Sequence, residues 1–214
     1  MDEDLYTTYL DGLLSGNRAV CNSVIEELLQ TDTPILDIYV HIFQRSMYDV
    51  GRKWEDGTIS VAVEHMATAI TERLLAAVYP RLFQADHVGR SAVVTCAPTE
   101  LHQIGARMVA DAFELYGWDG YFLGARTPED DLISMVNDRK PDIVALSASL
   151  PKSMTVVVPL LHRLRDRFPD QDIIVGGQGF SHNGTHTELE KFGIQHVSSL
   201  DELNTLVAAT PAAF

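Results

Sequence analysis

The feature that most constrains this chain is a change of hydrophobic period across residues 84–90. Up to about Phe83, apolar residues recur at intervals of three and four, as in Leu5, Tyr9 and Leu13, or Val24, Ile25, Leu28 and Leu29. That spacing gives helices with one buried face. After Arg90, short β-rich runs alternate with helical stretches. The segment between, Gln84 to Arg90, is polar and aperiodic, so the sequence divides into a helical region, 1–84, and an α/β region, 91–214. At 214 residues and 46% hydrophobic, the chain is long enough to bury a core in each.

Four helices are predicted before the boundary. Thr33 followed by Pro34 marks the start of the third, because a hydroxyl can cap orphan amides and proline is tolerated at the first helical position. This helix runs to about Trp54, and Glu55, Asp56 and Gly57 form a turn. Helical spacing resumes from Ile59 to Leu82, where Pro80 disturbs the last turn. Four helices on short loops predict a bundle.

Beyond the boundary, strands are predicted at Ala92–Cys96, Gly120–Leu123, Ile143–Leu146 and Ile173–Val175, with a weak fifth near His196. Strands alternating with helices give a parallel sheet. The fold class is therefore α/β: a four-helix bundle followed by a flavodoxin-like, Rossmann-like sheet of five parallel strands. Ligands of such sheets sit outside the carboxyl ends of the strands. The loops after Cys96, Leu146 and Val175 are where chemistry is expected.

Charge and composition remove several functions. With 30 acidic against 16 basic residues the net charge is −14, which repels phosphate backbones and argues against direct nucleic-acid binding. Cys21 and Cys96 form no zinc pattern and no disulfide scaffold, and read as reduced, cytoplasmic thiols. No apolar run reaches the roughly 18 residues of a membrane span. There is no Ser/His/Asp order, no phosphate-binding Walker sequence and no HExxH, so the chain reads as a binding protein and not as an enzyme.

The loop after the first strand reads Glu100, Leu101, His102, Gln103, Ile104, Gly105. A carboxylate two residues before a histidine can orient the imidazole and raise its basicity as a ligand, while Gly105 allows a bulky group close to the backbone. The third strand ends in Ser147, Ala148, Ser149, Leu150, and the fourth in Gly176 and Gly177. Forty-one residues separate Gly105 from Ser147. Together these motifs resemble the cobalamin-binding signature of methionine synthases, methylmalonyl mutases and corrinoid proteins, over residues 91 to about 210. The resemblance implies that His102 is the lower axial ligand to cobalt, held by Glu100. It implies that Ser147 and Ser149 line the pocket of the displaced nucleotide tail, for which Gly176 and Gly177 leave room. Two residues depart from the pattern: Glu100 stands where many members have Asp, and Ser149 where Leu is usual.

The helical region adds Trp54, nine residues, then Glu64-His65. This resembles the cap of light-responsive adenosylcobalamin photoreceptors, in which these residues shield the adenosyl group. The best-studied members carry a histidine directly after the Trp; here that residue is Glu55, which leaves water, His41 or His65 for the upper site after photolysis. Repressors of that family carry a helix-turn-helix domain ahead of the bundle, and none is expected here. Stand-alone photocobilins are similar in layout and imply a noncovalent bilin, biliverdin, as a second chromophore.

The leading expectation is a light sensor in which photolysis of adenosylcobalamin changes conformation or self-association, giving a homo-oligomer that signals to a protein partner still to be identified. The alternative is a corrinoid methyl carrier for a methyltransferase; a mutase small subunit is a weaker third. His182 and His186, after the glycine pair, read as a polar loop, and Trp118, Tyr116 and Phe122 as packing residues.

Overall fold

The computed structural model describes residues 2–181, 189 and 191–210, in two compact units that divide between Leu82 and Phe83. His182 and His186 lie outside the described residues.

In the first unit, α1 (Glu3–Ser15) starts at Asp2, whose carboxylate accepts the Asp4 amide, and ends at Gly16 in the left-handed conformation. It is followed by α2 (Arg18–Gln30), capped by Asn17. The third rod is continuous but not uniform. It begins as α3 (Ile35–Ile38), passes through a π-helical segment (Tyr39–Gln44) and continues as α4 (Arg45–Glu55). Propensity does not distinguish π from α winding, so the sequence reading made this helix regular. The wider turn accompanies burial of Ile38, Tyr39, Ile42, Phe43, Ser46 and Val50 along one helix. The fourth rod, α5 (Val61–Val78), is capped by Ser60 and closes in a 3-10 turn, Tyr79–Arg81, around Pro80.

The predicted four helices are thus present. They share a core of Tyr9, Leu13, Ile25, Leu28, Ile42, Phe43, Ile70 and Leu75, with the Tyr9 and Phe43 rings 6.1 Å apart. Ion pairing on the outside joins α1 to α4, where Arg45 forks onto both carboxylate oxygens of Glu3 and lies over the Tyr6 ring.

The second unit is a five-stranded, all-parallel sheet in the order β2-β1-β3-β4-β5. Its strands are β1 (Ser91–Cys96), β2 (Asp119–Gly124), β3 (Ile143–Ser147), β4 (Asp172–Gly176) and β5 (Ile194–Val197). The helices are α6 (Ile104–Leu115), α7 (Glu129–Arg139), α8 (Met154–Arg167) and α9 (Leu200–Ala209). Because successive side chains of a strand face opposite ways, Val93, Val144, Leu146, Ile173 and Val175 meet Leu132 and Val136 of α7 and Val157, Leu160, Leu161 and Leu164 of α8. The intervening residues Ala92, Val94, Ala145 and Ile174 are buried on the opposite face, where α6 packs on β1 and β2 and touches α9.

Register decides where the loops emerge. Cys96 pairs with Ser147, and Ser147 with Gly176, so β1, β3 and β4 end level with one another. Main-chain bonds continue past the strand ends: Ala97 donates to Ser147 (2.8 Å) and Ala148 to Gly176 (3.0 Å). The three loops singled out by the sequence therefore leave the sheet side by side.

Candidate functional site

Glu100 is the centre of this rim. Its side chain is 1% exposed, and its two oxygens accept six hydrogen bonds. Oε1 receives the Leu101 and His102 amides (3.2 and 3.3 Å) and Nδ1 of His102 (2.5 Å). Oε2 receives the Ser149 and Leu150 amides (3.0 and 3.3 Å) and the Ser153 hydroxyl (3.3 Å). Burial by itself would raise this carboxyl, but the His102 side chain, the Ser149 and His102 amides and the charge of His102 outweigh it and hold the pKa at about 2. Glu100 is therefore an ionised acceptor. It fixes the proton of His102 on Nδ1 and leaves the lone pair on Nε2. The His102 side chain is half exposed.

The sequence reading missed Ser153. It occupies the N-cap position of α8, where a hydroxyl ordinarily accepts a helix amide, yet it makes no such cap and is 2% exposed against Glu100. A serine at a helix start on the ligand rim was the available signal. The start of α8 brings the positive end of a helix dipole toward the same carboxylate. Ser149 contributes its main-chain N–H, which any residue but proline supplies, so its departure from leucine does not touch this bond.

The loop holding those amides is itself seated on glycines. A Cβ on Gly177 would lie 2.4 Å from the Ala148 carbonyl oxygen, and its φ is +101°. A Cβ on Gly176 would meet the Val197 carbonyl at 2.9 Å, and one on Gly179, which the sequence reading did not select, would meet the Ala148 and Leu150 carbonyls at 2.9 Å. Gly179 also donates its amide to Ala148 (2.9 Å). These glycines are required by neighbouring backbone. Gly176 makes room for the end of β5, while Gly177 and Gly179 let the loop after β4 press on the loop after β3, which then delivers two amides to Glu100.

Gly105 is different. It lies in the first turn of α6 without a positive φ, and the nearest atom to a Cβ built there is the Ser147 Oγ, at 3.9 Å. Nothing among the described residues requires glycine at this exposed position, which leaves open space beside His102 and Ser147.

Cys96 ends β1 under this loop, its Sγ 3.7 Å from the His102 carbonyl oxygen, and burial together with Glu100 pushes its thiol up to about 12. Without a metal it stays protonated at neutral pH. Among the described residues no group of three or more His, Cys, Asp or Glu could hold a metal ion. The rim thus offers one oriented imidazole beside an open glycine. That donor set suits a metal that brings its other ligands with it, as a macrocycle does.

Trp54, Glu64 and His65 belong to the helical unit. Trp54 is in the last turn of α4 and 44% exposed; Glu64 is in the first turn of α5 and His65 follows it, with the His65 side chain 74% exposed. The short connection between the helices puts all three at one end of the α4–α5 hairpin. Thr68 donates to Glu64 Oε1 (3.0 Å), and His65 Nε2 lies 3.5 Å from Glu64 Oε2. His41 is exposed on the π-helical segment. His162 packs against Phe192 with its ring tilted, and Trp118, 1% exposed, packs on Phe113.

A family model described as "B12 binding domain" matches residues 90–208, and a second of the same description matches residues 5–79. The chain belongs to the B12-binding domain family. It is 30% identical over 168 residues to the HTH-type transcriptional repressor CarH of Myxococcus xanthus, covering 76% of this chain and 54% of that protein. It is 23% identical over 169 residues to trimethylamine corrinoid protein 2 of Methanosarcina acetivorans, covering 77% of each. The chain spans about half the length of the two repressors it matches, CarH and CarA (54% and 49%). In fold it is similar to the monomethylamine corrinoid protein of Methanosarcina barkeri, with a TM-score of 0.83, 20% identity and 96% and 98% of the two chains covered. This cobalamin-binding protein therefore has a helical region followed by a five-stranded α/β domain, as the sequence pattern predicted. No helix among the described residues is long and apolar enough to cross a membrane.

Proposed function

We propose that this chain is a light-responsive adenosylcobalamin module in which His102 is the lower axial ligand to cobalt. The observation that carries the reading is the presence of two features: an imidazole pre-oriented by a buried carboxylate, and an exposed Trp54 at the same, loop-closed end of the α4–α5 hairpin as Glu64-His65. Bound adenosylcobalamin supplies a cobalt–carbon bond that visible light breaks. The chain's residues hold and screen. Glu100 keeps Nδ1 of His102 protonated, so Nε2 is the donor atom. Gly105 admits the macrocycle close to the backbone, and Ser147 and Ser149 line the tail pocket with Gly176 and Gly177. Trp54, Glu64 and His65 provide the shield on the adenosyl side.

The identity to a transcriptional repressor supports a regulatory and not a catalytic role. A noncovalent biliverdin as second chromophore, light-dependent homo-oligomerisation and signalling to a protein partner in the cytoplasm complete the reading. The test is the visible spectrum of the protein loaded in the dark with adenosylcobalamin, with and without biliverdin, before and after green and red light. Irreversible change under green light is expected, with dependence on red light only when biliverdin is present. In H102A the spectrum of the loaded protein should lose the contribution of an axial imidazole. Tight retention of methylcobalamin, with adenosylcobalamin behaving as it does free in solution, would overturn the sensor in favour of a corrinoid methyl carrier.

A further inference from the structure

The rim carries a second irregularity that the His102 site does not use. Along β1 and β2 the pairing runs regularly to Val94 opposite Phe122, then jumps to Thr95 opposite Gly124, so Leu123 is the extra residue of a bulge. Gly124 then takes φ +79°, and Arg126 takes φ +59°. A bulge, a left-handed glycine and a left-handed arginine thus fall within four residues, at the carboxyl end of β2. Bulges re-aim side chains at sheet rims, and a left-handed conformation at a residue with a Cβ costs roughly 1 kcal/mol or more.

Among the described residues, the other two non-glycine positions with positive φ have local reasons. Lys140 is the C-cap of α7, donating its amide to Val136, and Asp32 is in the turn after α2, of a residue type that tolerates this conformation. Arg126 has neither excuse. The loop around it is pinned: Thr95 donates to the Gly124 carbonyl (3.4 Å) and Thr127 to the Leu123 carbonyl (3.3 Å). Its guanidinium makes no ion pair or hydrogen bond among the described residues, although the chain carries 30 acidic side chains. Other arginines of the same unit are engaged: Arg163 by Glu129 and Asp130, Arg90 by Asp142, and Arg165 by four main-chain carbonyls.

Position says what it would meet. β2 lies next to β1 on the side away from β3. A Cβ on Gly124 would be 3.5 Å from the side-chain oxygen of Gln103, the residue after His102. The tail-lining positions Ser147, Gly176 and Gly177 stand on the opposite flank of the β1 loop. We propose that Arg126 binds the corrin ring at its edge, its guanidinium donating to the peripheral amide oxygens on the flank opposite the nucleotide tail. This rests on the reading of His102 as cobalt ligand. It adds a cationic clamp, which would make the strained loop a cofactor-binding element.

The test is equilibrium binding of hydroxocobalamin and of diaquocobinamide, which keeps the ring amides but lacks the nucleotide, to the full chain and to R126A and R126G, followed by visible absorbance. Both variants should lose about tenfold in affinity, by a similar factor for the two corrinoids. Glycine relieves the positive φ, so R126G without cofactor should melt no lower than wild type, which separates lost binding from lost folding. Wild-type affinity of R126G for both corrinoids would overturn the proposal. So would a loss confined to hydroxocobalamin, which would move Arg126 to the nucleotide phosphate. Failure of the wild-type chain to bind either corrinoid would remove the His102 reading itself and this proposal with it.

Discussion

Glu100 and Trp54 are both singled out by sequence pattern, yet the structure treats them in opposite ways. Glu100 is 1% exposed and its two oxygens accept six hydrogen bonds; Trp54 is 44% exposed in the last turn of a helix. The α/β rim is over-determined. Register sets its loops side by side, glycines lock one loop on another, and the carboxylate gathers the result onto one imidazole. At the end of the α4–α5 hairpin, large and polar side chains are left in solvent instead. A rim that is preorganised can bind without rearranging, whereas exposed groups gain burial only when something covers them. Substitutions in the two regions should therefore report on different quantities, stability in the first and ligand discrimination in the second.

The sharpest way to break this contrast is Glu100→Ala. It leaves buried amides and a hydroxyl without their acceptor and should destabilise the chain by about 4 kcal/mol, measured by urea denaturation without cofactor. The ionisation of Glu100 gives a second handle. Its folded pKa, about 2, lies below the ordinary 4.5, so its contribution is fully present above pH 4.5 and is lost as pH falls through 2. Wild-type stability should fall across that window, and the part due to Glu100 should vanish in the alanine variant. A flat profile, or a cost under about 1 kcal/mol, would mean the rim is not the rigid element described above.

A smaller effect with a more telling sign is expected at Gly105. Alanine is the better helix former by about 0.5–1 kcal/mol, and the nearest atom to the added Cβ is 3.9 Å away. Gly105→Ala should therefore raise the melting temperature of the cofactor-free chain while weakening cobalamin binding. Opposite signs in the two measurements identify a residue kept small for a ligand. Gly177→Ala should lower stability instead, because its neighbour is the Ala148 carbonyl and its φ is +101°. The two glycines, alike in the sequence motif, separate only in three dimensions.

That separation marks what was legible in the sequence. The change of period placed the helical and α/β regions, and the apolar runs marked five strands, which take the flavodoxin-like order expected of such an alternation. Glu100 and His102 were legible because they are two residues apart on a loop at a strand end. Ser153 and Gly179 were not. Ser153 meets Glu100 across 53 residues, and its position before α8 reads as an ordinary cap. Gly179 reads as one more loop glycine until the Ala148 and Leu150 carbonyls are seen against it. The π-helical turn at Tyr39–Gln44 and the bulge at Leu123 were hidden as well: one is a change of winding within a helix and the other an extra residue opposite a paired strand, and local composition records neither.

The smallest effect on stability belongs to Trp54, where the two regions part most clearly. A side chain 44% exposed at the end of α4 contributes little to the bundle core, so Trp54→Ala should cost the cofactor-free chain about 1 kcal/mol or less. If Trp54 screens the adenosyl side, the variant should lose its preference for adenosylcobalamin over methylcobalamin, while the spectral mark of the His102 ligand stays as in wild type. That split can arise only if ligand holding and ligand discrimination reside in separate units of the chain. A cost of 3 kcal/mol with unchanged preference would make Trp54 an anchor of the helical core, and the contrast with Glu100 would then be one of exposure alone.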